Sequence, residues 1–202
     1  MPFKHRCLYL LSRSALLVAL LSLFAATFTL RLFVVPSISM EPTVQAGDVI
    51  LVDRLGALLR LPPSEESIIV FRPPLRGDRA DYIKRVVARS GDRFSLLDGV
   101  LRRNDRIVTE PYIAEPAAYD LQLADYTLEL NGAALDPERA MIPPRSQWAE
   151  NDRVPNGYAV VLGDNRNYSD DSHLWGFLPL RGRLVGRAIA VIWPLGRIHS
   201  LL

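Results

Sequence analysis

Two serines near the start of the chain and one lysine farther along are the residues best suited to hydrolytic chemistry. Ser37 and Ser39 lie between Pro36 and Pro42, and these prolines favour extended or turn backbone, so the hydroxyls lie on non-helical chain. A serine hydroxyl becomes a nucleophile when a nearby base takes its proton, and a neutral amine is one such base. We therefore predict Ser39 as a nucleophile. The alternative is that residues 36–43 form only a polar turn after an apolar segment.

The candidate base is Lys84. Of the 24 basic residues, 22 are arginines and two are lysines, Lys4 and Lys84. Lysine can lose its proton in a protein, whereas arginine effectively cannot. Period-2 alternation places Lys84 on an apolar strand face, which burial would desolvate, and desolvation lowers the pKa of an amine. This face holds Tyr82, Lys84, Val86 and Ala88, and the opposite face holds Ile83, Arg85, Val87 and Arg89. A lysine extending from a sheet edge into solvent is the alternative interpretation.

A third stretch, residues 163–179, is rich in short polar side chains and follows a predicted strand. Such side chains hydrogen-bond to neighbouring backbone groups, which predicts an ordered loop, and Asp164 and Asn165 fit a structural corner in it. The acidic residues lack the alternating ligands and closing glutamate of a calcium loop. His173 and Asp171 leave open a histidine-dependent triad with Ser39, as the second choice after Lys84.

The N-terminal region predicts a membrane anchor. Residues 1–14 carry Lys4, His5, Arg6 and Arg13, and residues 15–35 are apolar except for Arg31. About twenty apolar residues span a bilayer, and positive charge is denser before this segment than after it, which predicts a cytoplasmic N-terminus. We therefore expect one transmembrane helix over residues 15–35 and an extracytoplasmic domain over residues 36–202. A cleaved signal peptide is the alternative, although the segment is long for one.

The composition excludes several other classes. The formal net charge is +2, with dispersed arginines, which does not favour a nucleic-acid partner. One cysteine, Cys7, and three scattered histidines provide neither a disulfide framework nor a zinc pattern. We expect no metal and no cofactor.

The residues after the anchor predict a mostly β domain. Short apolar runs bounded by turn residues predict strands. Asp98-Gly99 predicts a hairpin turn, and the proline-rich residues 110–157 predict an inserted cap region. The predicted strands are Val49–Val52, Ile68–Phe71, Tyr82–Arg89, Phe94–Leu97, Val100–Arg102, Tyr126–Leu130, Tyr158–Leu162 and Leu184–Trp193.

Taken together, the three stretches resemble the conserved boxes of type I signal peptidases, the membrane-anchored Ser/Lys proteases. Residues 37–43 are similar to the nucleophile box of that family, residues 82–86 to its lysine box, and residues 163–176 to its third box. The resemblance implies a signal-peptidase-like β-barrel or β-sheet domain. His173 and residues 112–116 are closer in type to cyanobacterial and plastid members. Two departures are Glu65-Glu66-Ser67, where many members have Arg-Gly-Asp, and His173, where the enteric branch has arginine.

The resemblance also implies residue roles. Ser39 would be the nucleophile and Lys84 the general base, with the Ser39 backbone N–H and the Ser37 hydroxyl as oxyanion donors. Ser169 would orient the Lys84 amine, Asp171 would brace the third box, and Asp164 and Arg166 would hold its structure. The residues beside the substrate cleft would be Pro36, Met40, Tyr82 and Ile83.

The sequence thus predicts a serine endopeptidase that removes signal peptides from exported preproteins with small residues before the cleavage site. It would act at the outer face of a cell (inner) membrane or a thylakoid-type membrane, with the lipid bilayer as its other partner. Two alternatives remain open at this point: a self-cleaving Ser/Lys protease, and a catalytically inert, membrane-anchored β module that binds peptides.

Overall fold

The structure, a computed structural model, describes residues 15–18, 27–75, 77–122, 129–130, 133–134 and 153–202, and in these residues it is mostly β, as predicted. The helices are short: α1 (Leu55–Leu58), α2 (Ser172–Trp175) and two 3-10 turns at Arg166–Tyr168 and Leu195–Arg197. The strands are β1 (Leu30–Val34), β2 (Val49–Asp53), β3 (Ile68–Phe71), β4 (Tyr82–Arg89), β5 (Phe94–Leu97), β6 (Val100–Arg103), β7 (Arg106–Ile107), β8 (Leu121–Gln122), β9 (Glu129–Leu130), β10 (Ala133–Ala134), β11 (Tyr158–Leu162), β12 (Leu178–Pro179), β13 (Leu184–Trp193) and β14 (His199–Ser200).

The largest sheet carries the catalytic candidates. Its strand order is β1-β2-β13-β3-β4-β11-β12, with β14 paired to β13, and its pairings are antiparallel. Strand β4 lies between β3 and β11, and all six of its central residues are buried. A buried interior strand excludes water from both faces, which is the environment that a lysine base needs.

A smaller sheet with the order β7-β6-β5-β8 packs beside the first, and β9 pairs with β10. The hairpin turn predicted at Asp98-Gly99 is confirmed, since both residues have positive φ, 50° and 72°, and join β5 to β6. Val87 and Ala88 of β4 share one buried core with Phe94, Leu96 and Leu101 of this sheet. The predicted insertion begins with residues 110–122, which the structure describes. This part ends in β8, which pairs with β5. The cap prediction for residues 123–152 falls largely outside the described residues.

The predicted membrane helix was wrong at its C-terminal end. Residues 30–34 form β1, which pairs with β2 from Leu30 opposite Asp53 to Val34 opposite Val49. Strand pairing supplies the backbone hydrogen bonds that a helix would otherwise provide. Residues 15–18 and 27–29 are helical, whereas residues 1–14 and 19–26, the rest of the predicted N-terminus and anchor, lie outside the described residues. Within the described residues, none of the helices has the length and hydropathy needed to span a bilayer.

Candidate active site

The structure brings Ser39 and Lys84 into direct contact. The Nζ atom of Lys84 lies 2.6 Å from the Oγ atom of Ser39, although the residues are 45 positions apart in sequence. Both are buried, with 5% and 4% of their surface exposed. This is hydrogen-bonding distance for proton transfer between a nucleophile and its base.

Burial also lowers the pKa of Lys84, which suits this residue to act as a base. Desolvation lowers the pKa of Lys84 below its ordinary value, while the negative charges of Asp171, Asp170 and Asp164 act in the opposite direction without cancelling it. A lowered pKa increases the fraction of neutral amine near neutral pH, and only the neutral amine can accept a proton.

The predicted faces of β4 hold only in part. Val86 lies in a different buried cluster from Val87, but Ala88 shares the cluster of Val87, where the register of β4 with β11 shifts. Lys84 pairs with Ile69 of β3, and Ile69 and Val86 belong to one buried apolar cluster. On the other face, Arg85 is also buried, because its guanidinium binds Asp164 through two hydrogen bonds of 2.8 and 2.6 Å. Lys84 therefore pairs with an apolar residue of the sheet, while the carboxylates of Asp171, Asp170 and Asp164 act on its charge.

The loop that follows β11 holds the segment containing the nucleophile in place. The backbone N–H of Asn165 donates to the carbonyl oxygen of Ser39 at 3.1 Å, and its side-chain amide donates to the carbonyl oxygen of Ile38 at 3.2 Å. The hydroxyl of Thr43 donates to Asp164 at 2.6 Å. Three contacts thus fix residues 38–43 against the third stretch.

Gly163 makes this close approach possible. A Cβ atom at this position would lie 2.4 Å from the Ser39 carbonyl oxygen and 2.3 Å from the Ser169 hydroxyl oxygen. Neither contact is sterically allowed, so the loop can meet the backbone of Ser39 only with glycine here.

Asp171 is the fully buried centre of the loop. One carboxylate oxygen accepts hydrogen bonds from the Gly163 N–H at 2.8 Å and from the Ser169 hydroxyl at 2.5 Å. The other accepts from the His173 N–H at 3.1 Å and lies 2.8 Å from the His173 ring Nδ1. Burial alone would raise the pKa of Asp171, but the hydrogen bonds and charges of His173, Lys84 and Ser169 hold this pKa below its ordinary value. Asp171 is therefore a carboxylate at neutral pH.

The predicted contact between Ser169 and Lys84 is not among the hydrogen bonds of the described residues. The Ser169 hydroxyl donates to Asp171 instead. The orienting role of Ser169 stays a prediction. The structure likewise places Lys84, not His173, beside Ser39, which favours the lysine base over the histidine triad.

Arg166 is held by a partner that sequence reasoning missed. Its guanidinium donates to the Gly163 carbonyl at 3.1 Å and makes two hydrogen bonds to the Glu110 carboxylate, one of them at 3.0 Å. Glu110 also accepts from the hydroxyl of Tyr112 at 2.8 Å. Arg166 and Glu110 are 56 positions apart in sequence, and no local pattern pairs them.

Two aromatic rings from the same segment complete the surroundings of the site. The Tyr112 ring lies 3.8 Å from the Cζ atom of Arg85, and the Tyr119 ring stacks on the His173 ring with centroids 4.2 Å apart. These contacts were also missed, since residues 110–122 were interpreted as the start of an insertion.

The remaining predicted residues, those assigned to the oxyanion site or the substrate cleft, differ in how exposed they are. The Ser37 hydroxyl is 3.2 Å from the Ser39 hydroxyl, and Pro36 is exposed. Tyr82 is half-buried, but Met40 and Ile83 pack in the core with 0% and 6% of their surface exposed. The roles of these residues in substrate binding stay predictions, and burial limits Met40 and Ile83 to supporting the cleft from within.

Comparison with known proteins identifies what the chain is similar to. Residues 8–193 match the model of a family described as signal peptidase, peptidase S26. The chain is 34% identical to a probable signal peptidase I-1 from Synechocystis over 92% of the chain and 83% of that protein. It is 32% identical to a probable chloroplastic thylakoidal processing peptidase 2 from Arabidopsis thaliana, over 83% of the chain and 39% of that longer protein. A crystal structure of a signal peptidase I from Enterococcus faecalis has 27% identity, covers 62% of this chain and 96% of its own, and gives a TM-score of 0.46.

Proposed function

The chain belongs to the signal peptidase, peptidase S26, family, and from this we propose that it cleaves signal peptides from exported preproteins with Ser39 as nucleophile and Lys84 as general base. One observation carries the assignment: a buried lysine amine lies 2.6 Å from a buried serine hydroxyl. Burying an amine beside a hydroxyl stabilises the fold less than burying an apolar pair of similar size, because the amine must be desolvated. Buried ionisable groups of this kind are typical of functional sites.

The proposed reaction is acyl transfer followed by hydrolysis. Ser39 Oγ attacks the scissile carbonyl carbon while its proton passes to Lys84 Nζ. The C–N bond then breaks, the lysine ammonium protonates the leaving amine, and the signal peptide stays as an ester on Ser39. A water molecule then gives a proton to Lys84 and attacks the ester carbonyl. The ester C–O bond breaks, Lys84 passes that proton to Ser39 Oγ, and the signal peptide leaves with a free carboxyl group.

Two donors suit the negative charge that develops on the carbonyl oxygen. These are the Ser39 backbone N–H and the Ser37 hydroxyl, which is 3.2 Å from the nucleophile oxygen. Donors fixed before the reaction stabilise the transition state without having to reorient.

The strand that carries the base is also the proposed binding site for the substrate. Strand β11 pairs with β4 only from Arg85 to Arg89, so β4 extends beyond the end of β11 at Ile83 and Lys84. We expect the preprotein to add there in extended form, so that small residues before the scissile bond fit beside Ser39.

We further propose that the enzyme is anchored by its N-terminal segment, with residues 36–202 on the outer side of a cell (inner) membrane or thylakoid-type membrane. The apolar side chains of β1 support this, since Leu32 and Val34 are 61% and 68% exposed. Exposed leucine and valine directly after an apolar segment suit the surface of a bilayer. Tethering there raises the local encounter rate with precursors emerging from the membrane.

The test is cleavage of a precursor with an A-x-A site by the full chain in detergent. We expect Ser39→Ala and Lys84→Arg to lose at least about 10³-fold in turnover, because each removes one partner of the proton transfer. Lys4→Arg, at the other lysine of the chain, is the matched control and should be fully active. Activity should also fall on acidification as Lys84 becomes protonated. Full activity of Lys84→Arg would exclude the base assignment, and cleavage by Ser39→Ala at the wild-type rate would exclude the proposed function.

A further inference from the structure

The turn between β2 and β3 exposes four leucines. Residues 54–61, which we call the leucine turn, contain α1, and none of the α1 residues is buried. Leu55, Leu58 and Leu59 have the i, i+3, i+4 spacing of one helix face, and Leu61 follows closely. The exposed fractions of the four side chains are 47%, 54%, 60% and 55%. A contiguous exposed patch of apolar side chains is typical of a surface that contacts a partner or a lipid.

The leucine turn lies beside the segment that is proposed as the anchor. The backbone N–H of Arg54 donates to the carbonyl oxygen of Thr29 at 2.7 Å. The next residue, Leu30, pairs with Asp53 where β1 meets β2. A chain that leaves the bilayer near residue 29 therefore holds the start of the leucine turn within one hydrogen bond of its exit point. This position favours a lipid surface as the partner of the four leucines.

The leucine turn also carries positive charge that protein carboxylates do not neutralise. Arg54 and Arg60 flank the leucines in sequence, and neither takes part in an ion pair within the part of the chain that the structure describes. The nearby Glu65 and Glu66 are both paired with Arg103 instead. Exposed leucines next to arginines suit the interface of a bilayer that contains anionic lipids, because the leucines enter the acyl region while the guanidinium groups stay at the level of the phosphates.

A cavity of about 280 Å³ opens between the leucine turn and the large sheet. Two of its lining residues, Arg187 of β13 and Asp53 of β2, lie opposite each other in the sheet, and the Asp53 carboxylate accepts a hydrogen bond from the Leu55 N–H at 2.8 Å. The Nε atoms of Arg187 and Arg54 are shielded from solvent and have no hydrogen-bond partner among the described residues. A guanidinium N–H kept from water without an acceptor is unfavourable, which suggests that an anionic oxygen binds there. Much of the remaining lining is apolar and includes Leu61, Pro62, Ile69 and Leu184.

We propose that the leucine turn and this cavity form a binding site for an anionic phospholipid of the bilayer to which the chain is anchored. The four leucines enter the apolar region of the leaflet, and the guanidinium groups of Arg54, Arg60 and Arg187 bind phosphate and headgroup oxygens. The proposal rests on the proposed anchoring of the chain and does not depend on the roles of Ser39 and Lys84. A second point of attachment next to the anchor restricts rotation of the domain, so the catalytic site keeps one orientation to the bilayer.

Single cysteines test the contact with lipid. Cys7 is the one cysteine of the sequence, so Cys7→Ser gives a background in which Leu58→Cys can be labelled with a polarity-sensitive fluorophore. The full chain is placed in phosphatidylglycerol vesicles, with and without brominated acyl chains. We expect the brominated lipid to quench the label at position 58 by at least about twofold, because an interfacial apolar face reaches the acyl boundary. Ile107→Cys, at an exposed position of the edge strand β7, is the negative control, and Leu17→Cys, in the proposed anchor, is the positive control.

The signal at position 58 decides between lipid and other occupants of the leucine turn. Quenching at position 17 without quenching at position 58 would overturn the proposal and leave the anchoring intact. Absence of quenching at both positions would overturn both. An emission shift at position 58 that depended on protein concentration in detergent, and not on lipid, would indicate that a second copy of the chain covers the leucine turn, and would also overturn the proposal.

Lipid binding in detergent tests the arginines. Native mass spectrometry of the full chain carrying Ser39→Ala measures bound phosphatidylglycerol without any cleavage. We expect Arg54→Gln and Arg187→Gln each to weaken this binding about fivefold, since a basic side chain near an anionic lipid contributes about that factor. Arg106→Gln, at an exposed arginine of β7, is the matched control and should bind as the parent chain does. Phosphatidylcholine and inorganic phosphate are the comparison ligands, and each should bind at least about fivefold more weakly than phosphatidylglycerol.

These measurements separate the lipid site from the proposed function. Equal affinity for phosphatidylglycerol in Arg54→Gln, Arg187→Gln and Arg106→Gln would overturn the proposal even if the enzyme cleaves its substrate. Equal binding of inorganic phosphate or phosphatidylcholine would overturn it as well, because the site would then not select an anionic lipid. The expected order of affinities would support the proposal even if no cleavage were detected, in which case only the peptidase assignment would fail.

Discussion

Replacing Gly163 with alanine tests whether the third stretch determines the position of the nucleophile. The new Cβ would lie 2.4 Å from the backbone carbonyl oxygen of Ser39. The shortest ordinary contact between a carbon and a carbonyl oxygen is about 3.3 Å, so one of the two segments must move by about 0.9 Å. Gly163 is not among the glycines with positive φ, so alanine is compatible with the backbone conformation and the effect is purely steric.

A displacement of about 1 Å at a reacting group can lower the rate by about 10²-fold. We therefore expect kcat to fall by roughly that factor, with a loss of stability of about 1–3 kcal/mol from overpacking. The assay is single-turnover cleavage of an A-x-A precursor, corrected for the folded fraction. Gly186→Ala is the matched control, because its Cβ would lie 2.5 Å from the carbonyl oxygen of Asp53, in strand β2 away from Ser39. Gly196→Ala is the open control, since no atom lies within 4 Å of its Cβ position.

The controls separate misplacement of the nucleophile from general destabilisation. Gly186→Ala should lose stability but keep its turnover per folded molecule, and Gly196→Ala should behave as wild type. If Gly163→Ala kept wild-type kcat while folded, the contact between the loop and the Ser39 carbonyl would not position the nucleophile. If Gly186→Ala lost as much turnover as Gly163→Ala, the loss would follow from packing strain in general. That result would also show that the contact between the loop and the Ser39 carbonyl does not position Ser39.

Two further substitutions test the base and the oxyanion donor. Lys84→Met should abolish cleavage yet raise the free energy of unfolding by roughly 0.5–2 kcal/mol at pH 7. Because the pKa of Lys84 in the folded state lies below the unfolded value of 10.5, this gain in stability should shrink as pH rises toward 10.5. Denaturation in detergent at pH 7 and at pH 10.5 measures the difference. A gain that did not depend on pH would contradict the lowered pKa of Lys84. Ser37→Ala should lower kcat by about 10²–10³-fold with KM and thermal unfolding little changed. Unchanged kcat would show that the Ser37 hydroxyl is not the donor.

Most of the strands could be predicted because their signal is local. The predicted bounds of β3, β4, β5, β11 and β13 agree with the structure to the residue. Each is a run of apolar and β-branched residues that ends at turn residues, and a strand buried in this way is determined by its own side chains. The hairpin between β5 and β6 follows from Asp98-Gly99 for the same reason, since only a few residue types accept two successive positive φ values.

The end of the predicted membrane helix shows where local signals fail. Residues 30–34 are apolar enough to continue a helix, but pairing with β2 makes them a strand. Hydropathy measures transfer out of water and does not distinguish a helix from a strand that packs on a sheet. The nearest pair, Val34 and Val49, is fifteen positions apart in sequence, and Leu30 and Asp53 are farther apart still. A short window of sequence therefore does not contain the contacts that make these residues a strand.

The candidate residues follow from amino-acid types and their spacing: a serine on non-helical chain, one lysine on a predicted apolar strand face, and a polar loop that follows a strand. Residue type and periodicity suffice for this, because the capacity to act as a nucleophile or as a base belongs to single side chains. The contacts between these residues depend on the packing of distant segments. Lys84 meets Ser39 across 45 residues, Arg85 meets Asp164 across 79, and Arg166 meets Glu110 across 56. Distances and desolvation arise when separate segments pack together, so the lowered pKa of Lys84 and the link from Asp171 to His173 exist only in the folded chain.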